Sequence, residues 1–176
     1  MTEDEVRILI QSWENLAILV RHIGHYPEHL DVIVSKALDD SQPENWRAMW
    51  MVEKIYDQHP ELVLPYLPVL TTFLFTTQNA GKKRHLLKLI SLNAIPEEKL
   101  AFLLNYCIDV FTNAAEPVAV RVHAMQILFN IAQKEPGLTG ELIELIEHEI
   151  DYHGSAGIIS RGRKLLKKLF LQKSLL

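Results

Sequence analysis

The chain has 176 residues, 48% of them apolar and 23% charged, with a formal net charge of −4. That length suits one domain with a sizeable core, and the composition excludes an intrinsically disordered chain. A single cysteine, Cys107, excludes an internal disulfide and suits a reducing compartment.

Met1-Thr2-Glu3-Asp4-Glu5 is acidic and lacks the basic start and apolar core of a signal peptide, so a cytoplasmic location is expected. Thr2 and Glu5 have the spacing of a capping box, in which hydroxyl and carboxylate reciprocally satisfy free amides, and a helix is predicted over 3–23 with Trp13 on its apolar face. After a turn at Gly24, Pro27 opens a helix over 27–39. Ser41-Gln42-Pro43-Glu44 has capping-box spacing again and predicts a helix over 43–58. At about 100° per residue, Ala48, Met49, Val52, Ile55 and Tyr56 share its core side. Arg47, Trp50, Glu53, Lys54 and Asp57 fall opposite, with Trp46 at the edge. The next helix, 60–76, is expected to break near Pro65. Its apolar run from Leu62 to Phe75 is too short to span a bilayer, so no membrane partner is expected. Helices follow over 81–94, 96–113, 117–134, 138–151 and 155–172, with Gly81 and Gly154 in turns. The chain reads as all-α.

Prolines at 27, 60, 96 and 136 each open a helix that follows another, which is the pattern of repeated helix pairs. Stepping the later first helices by 38 residues aligns Arg47, His85, His123 and Arg161. Ala48, Leu86, Ala124 and Gly162 align beside them, as do Met51, Leu89, Ile127 and Leu165. Two more columns hold Val52, Ile90, Leu128 and Leu166, and Trp50, Lys88, Gln126 and Lys164. Apolar columns remain apolar because each unit buries the same face against its neighbours. Pro117 to Leu128 resembles the first helix of a HEAT repeat: a proline opens it, Arg121 follows, and small and large apolar residues then alternate. The resemblance to HEAT and armadillo-type repeat proteins implies an α-α superhelix, a HEAT-like solenoid of about four to five helix pairs. Residues 1–176 are expected to form a single helical-repeat domain, with 155–176 as its terminal capping helix.

Catalytic signatures are missing from the sequence: it has no Gly-rich phosphate loop, nucleophile elbow or HExxH pair. Cys107, between Tyr106 and Ile108 in an apolar helix, reads as a small hydrophobe. His22, His25 and His29 lie at a turn where three imidazoles can approach one metal, but the favoured reading is a solvated turn with a histidine near a helix C-terminus. His148 is expected to face away from His153 along its helix. Neither group marks a site, and no cofactor is expected.

Surface chemistry is more informative. Trp50, on a polar helix face, is either an aromatic anchor for a partner or a residue packed between adjacent helices. Stacked repeats would line up Arg47, His85, His123 and Arg161 beside Lys54, Lys88, Lys164 and Lys168 as a basic stripe. With Trp50, these form the candidate partner-binding surface. The stripe sits in an uneven charge distribution, since residues 1–78 carry 5 Lys/Arg against 12 Asp/Glu and residues 79–176 carry 13 against 10. The helix from Ser155 to Gln172 is basic and amphipathic, as suits the cap of a solenoid. The expected function is a non-catalytic scaffold that binds a protein or peptide. A nucleic-acid-binding alternative rests on distant similarity to DNA glycosylases of HEAT-like architecture, to which Trp46, Trp50 and Asp57 are the nearest elements. A third, similarity to HEAT-repeat lyases that attach chromophores, draws no support from Cys107.

Overall fold

In the computed structural model, residues 2–9 and 11–174 are described, those of Glu3 and Arg7 without their side chains. No strand occurs among them. The helices are α1 (Glu3–Leu9), α2 (Leu16–His25), α3 (Leu30–Ala37), α4 (Trp46–Gln58), α5 (Pro60–Val63) and α6 (Leu67–Leu74). They continue as α7 (Ala80–Ser91), α8 (Glu97–Thr112), α9 (Val118–Lys134), α10 (Thr139–His153) and α11 (Ala156–Lys173). The all-α, HEAT-like helix-pair architecture expected from the sequence is the one observed. The chain divides into two compact units, Met1–Leu89 and Ile90–Leu176.

In the first unit the Thr2–Glu5 capping box forms as expected. The Thr2 amide donates to Glu5 Oε2 at 2.7 Å and the Glu5 amide donates to Thr2 Oγ1 at 3.3 Å. The helix it starts is shorter than expected. Ser12 is extended, with φ −128° and ψ 135°, and its hydroxyl accepts from the Glu14 amide at 3.2 Å. A second N-cap thus replaces the continuous 3–23 helix, because a serine hydroxyl offers the backbone an alternative to the helical ladder. The break resets the helical phase, and Trp13, expected in the core, is 75% exposed.

A second correction concerns Ser41, which does not cap the helix before α4. Its own amide donates to Asp39 Oδ1 at 2.8 Å, and the N-cap position is Gln42, without a side-chain bond. The turn between α3 and α4 is held by buried groups. Asn45 Nδ2 donates to the Asp39 carbonyl at 2.9 Å, and Lys82 Nζ, from α7, donates to that same carbonyl and to Asp40 Oδ1, both at 2.7 Å. Lys82 has no exposed surface, and its ammonium also lies 5.1 Å from the Phe73 ring centroid. The break between α5 and α6 falls at Pro65 and Pro68, as the proline spacing predicts. Gly24 and Gly81 lie inside α2 and α7 rather than in turns. At Gly24 an added Cβ would stand 2.9 Å from His59 Nε2, so the absent side chain lets the end of α4 approach α2.

In the second unit α9 packs against α8, α10 and α11. Its Val120, Ala124, Met125, Ile127 and Ile131 are buried, as are Leu103, Cys107 and Phe111 of α8, Ile146 of α10, and Leu165 and Leu169 of α11. Arg121 is the polar centre. Its Nε donates to the Phe111 carbonyl at 2.8 Å, Nη1 to the His153 carbonyl at 3.5 Å, and Nη2 to Glu149 Oε2 at 2.6 Å. The last carbonyls of a helix have no intrahelical partner. One arginine on α9 therefore satisfies the C-terminal ends of α8 and α10 while neutralising a buried carboxylate, which explains its place in the repeat. The aligned apolar columns are buried: Ala48, Leu86, Met51 and Leu89 in the first unit, and Ala124, Gly162, Ile127 and Leu165 in the second. At Gly162 an added Cβ would lie 2.8 Å from Ile150 Cδ1, so α11 approaches α10 closely there. Ser155 caps α11, accepting from the Ile158 amide at 3.4 Å. The last two residues of the expected cap, Leu175 and Leu176, lie outside the described residues.

Candidate partner-binding site

All three tryptophans of the chain line one open groove of about 390 Å³ in the first unit. Trp13 comes from the turn before α2, and Trp46 and Trp50 from the first half of α4. Among the described residues, Gln11, Arg47, Arg84 and His85 line it as well. Trp46 and Trp50, four residues apart, project from one flank of α4 because i and i+4 lie one above the other. Trp13 joins them only because Ser12 breaks the preceding helix.

The floor is electrostatically fixed. Trp46 stacks on the His85 ring, 3° from parallel at a centroid distance of 6.3 Å. His85 Nδ1 meets Glu53 Oε2, and Lys88 Nζ reaches Glu53 Oε1. Lys54 adds a contact to Glu53 at 3.1 Å and another to Asp57 at 2.7 Å. Burial acts to push the Glu53 carboxyl up, but hydrogen bonds from His85 and Lys88 outweigh it and hold the group well below the usual carboxylate range. An ionised carboxylate only accepts, so His85 Nδ1 carries the bonded proton. Arg47 stands apart from this network, its guanidinium 5.6 Å from the Trp46 ring centroid. Among the described residues, neither Arg47 nor Arg84 has a carboxylate partner; the nearby Glu53 and Asp57 are committed to His85, Lys54 and Lys88.

This arrangement alters the basic stripe expected from the sequence. His85 is 3% exposed and Glu53 4%, because α7 covers the flank of α4 that a helical wheel assigns to solvent. His85 supports the groove from below instead of presenting a surface charge. Lys54 and Lys88 are half-buried and neutralised by Glu53 and Asp57. In the second unit Arg161 is half-buried and donates to Gln126 Oε1 at 2.9 Å, and His123 is half-buried. Lys164 and Lys168 are exposed, with Lys168 Nζ 5.7 Å from the Phe129 ring centroid. Sequence reasoning missed Trp13 and Arg84. The Ser12–Glu14 cap was the legible signal for Trp13, while Arg84 precedes His85 in the 38-residue column without falling in an aligned column itself.

The histidine groups resolve differently. His22 Nε2 lies 2.7 Å from His29 Nδ1 with the rings stacked, whereas His25 turns away and donates to the Arg21 carbonyl at 2.8 Å. His148 does not face away from His153: both approach Glu149, with ligand-type atoms of the three residues within 4.8 Å of one another. Flexible side chains at the exposed C-terminal turns of α10 close the angle that the wheel puts between them. The Glu149 carboxylate is already paired with Arg121. Cys107 is fully buried, and burial pushes its thiol pKa up, away from the thiolate that nucleophilic chemistry needs.

The model of the HEAT repeat domain family matches residues 9–169. The chain belongs to the HEAT repeat domain family. HEAT repeats commonly mediate protein interactions. Comparison with curated proteins and with solved structures gives no match. The HEAT repeat units carry no helix long and apolar enough to cross a membrane among the described residues.

Proposed function

We propose that this HEAT repeat chain is a non-catalytic protein-interaction module whose docking site is the tryptophan groove of its first unit. The observation that carries this is the convergence of Trp13, Trp46 and Trp50 beside Arg47 and Arg84, with Trp13 75% exposed and Trp46 37% exposed. Large exposed aromatics are costly to solvate, and Trp and Arg dominate the energetics of protein interfaces. A rigid groove, its floor pinned by the His85–Glu53–Lys88 network, also loses little entropy when a partner seats. The exposed lysines of α11, Lys164 and Lys168, form a separate basic flank in the second unit that supports docking by charge.

Affinity capture with the tagged full chain tests the proposal. Trp50→Ala is expected to lose the partners that wild type retains, whereas Lys164→Glu with Lys168→Glu is expected to weaken capture only at low salt. Retention of the same partners by both variants would refute the choice of surface.

A further inference from the structure

We infer that the occupant of the groove is an acidic peptide segment: one aromatic or leucine side chain on the tryptophans, flanked by a carboxylate on Arg47 and Arg84. The inference rests on the docking site proposed above and adds the chemistry of its ligand.

Charge decides among possible occupants. The first unit, Met1–Leu89, carries 9 Lys/Arg against 12 Asp/Glu, yet among the described residues the groove lining holds two arginines and no carboxylate. The acidic groups on α4, Glu53 and Asp57, are neutralised by Lys54 and Lys88, and Glu53 is also hydrogen-bonded to His85. A guanidinium without a carboxylate partner among the described residues, beside a stacked aromatic floor, matches a carboxylate in a planar, two-pronged hydrogen bond. A cationic ligand held in an aromatic cage meets two like charges here. A nucleic-acid strand gains from the same arginines and from stacking, but its continuous phosphate charge then runs onto a unit with more Asp/Glu than Lys/Arg, where backbone binding is disfavoured. A short peptide confines its negative charge to the groove. The volume of about 390 Å³ fits a few side chains and lies near the low end of small-molecule sites, roughly 300–1,000 Å³.

The test is a selection of short random peptides displayed on phage against the full chain, counter-selected on Trp50→Ala. A synthetic peptide of the enriched sequence is then titrated by fluorescence anisotropy. The enriched peptides are expected to carry Asp or Glu beside an aromatic residue or leucine. Replacing that acid by its amide, or introducing Arg47→Glu or Arg84→Glu, is expected to raise Kd at least about tenfold, the effect of losing one charged hydrogen bond. Arg84 is exposed, so Arg84→Glu leaves the core intact and keeps the test sound even where Trp50→Ala unfolds the unit. Enriched peptides that depend on Trp50 but lack an acid would overturn the ligand chemistry and leave the docking site standing. An empty selection, or peptides indifferent to Trp50, Arg47 and Arg84, would overturn both. Binding of a short oligothymidylate at physiological salt, lost in Arg84→Glu, would also overturn the peptide assignment in favour of nucleic acid.

Discussion

Glu149→Ala removes the carboxylate that neutralises Arg121 inside the second unit. Arg121 is 3% exposed and Glu149 2%, and the two meet at 2.6 Å. After the substitution the guanidinium keeps its bonds to the Phe111 and His153 carbonyls but has lost its charged partner. Breaking one side of a buried ion pair costs about 3–5 kcal/mol, far above the roughly 0–1 kcal/mol of an exposed pair. For a chain of this size each kcal/mol lowers Tm by about 2–4 °C, so the expected fall is roughly 6–20 °C. Scanning calorimetry and urea unfolding followed by helical circular dichroism measure it. The double replacement Arg121→Met with Glu149→Leu separates charge from packing. It is expected to recover the ion-pair part of the loss, since apolar replacements of a buried pair are often neutral. It should still fall short of wild type, because the two helix-end carbonyls lose donors at about 1–3 kcal/mol each. A Glu149→Ala loss below about 1 kcal/mol would mean that water reaches the pair, and the assignment of Arg121 as a buried tie between α8 and α10 would fail.

Other expectations follow from the same geometry. Lys82→Glu puts a carboxylate in a fully buried site beside Asp40 and the Asp39 carbonyl, and is expected to cost more than about 4 kcal/mol or to abolish cooperative unfolding of the first unit by urea. The depressed Glu53 carboxyl makes stability pH-dependent: in the unfolded chain it titrates near its ordinary 4.5, whereas in the fold it stays ionised to lower pH. Its contribution is therefore fully present above about pH 5 and is lost as pH falls through 4.5 toward the folded value. Urea midpoints from neutral pH downward should show a decline that Glu53→Gln largely removes; an unchanged slope in that variant contradicts the network. Cys107 should resist a thiol-specific disulfide reagent in the native state and react fully in denaturant, and prompt native reaction would contradict its burial. Trp13→Ala should change stability by less than about 0.5 kcal/mol, where a buried tryptophan would cost roughly 3–5 kcal/mol, as measured by the same unfolding curves.

Much of the fold was legible because it depends on period and punctuation. Prolines 27, 60, 96 and 136 mark segment starts, and the 38-residue columns predict that Ala48, Leu86, Ala124 and Gly162 are buried, as the structure has them. Both signals are local or strictly repetitive. The failures have local causes too. Thr2-x-x-Glu5 and Ser41-x-x-Glu44 have the same capping-box spacing, yet only the first forms; in the second, Asp39 takes the Ser41 amide and Pro43 restricts the backbone. Spacing alone does not reveal a competing acceptor two residues upstream.

The groove was harder to read because a helical wheel assumes one uninterrupted helix with one buried side. Ser12 violates the first assumption, and a phase reset there turns Trp13 from an expected core residue into groove lining. The second fails at α4, a repeat helix with a neighbour on the flank that bears Glu53. That flank is closed by His85 and Lys88 from a helix more than thirty residues away in sequence. Both errors share a cause: they concern side chains whose environment is set by a different repeat. Columns of like residues capture the contacts that recur in every repeat and miss those that occur once. Trp13, Arg84 and the Glu53 network each occur once, and departures of this kind are how a repeat architecture acquires a specific binding site on a generic frame. The residues of this chain that break the 38-residue pattern are accordingly better candidates for partner selectivity than those that keep it.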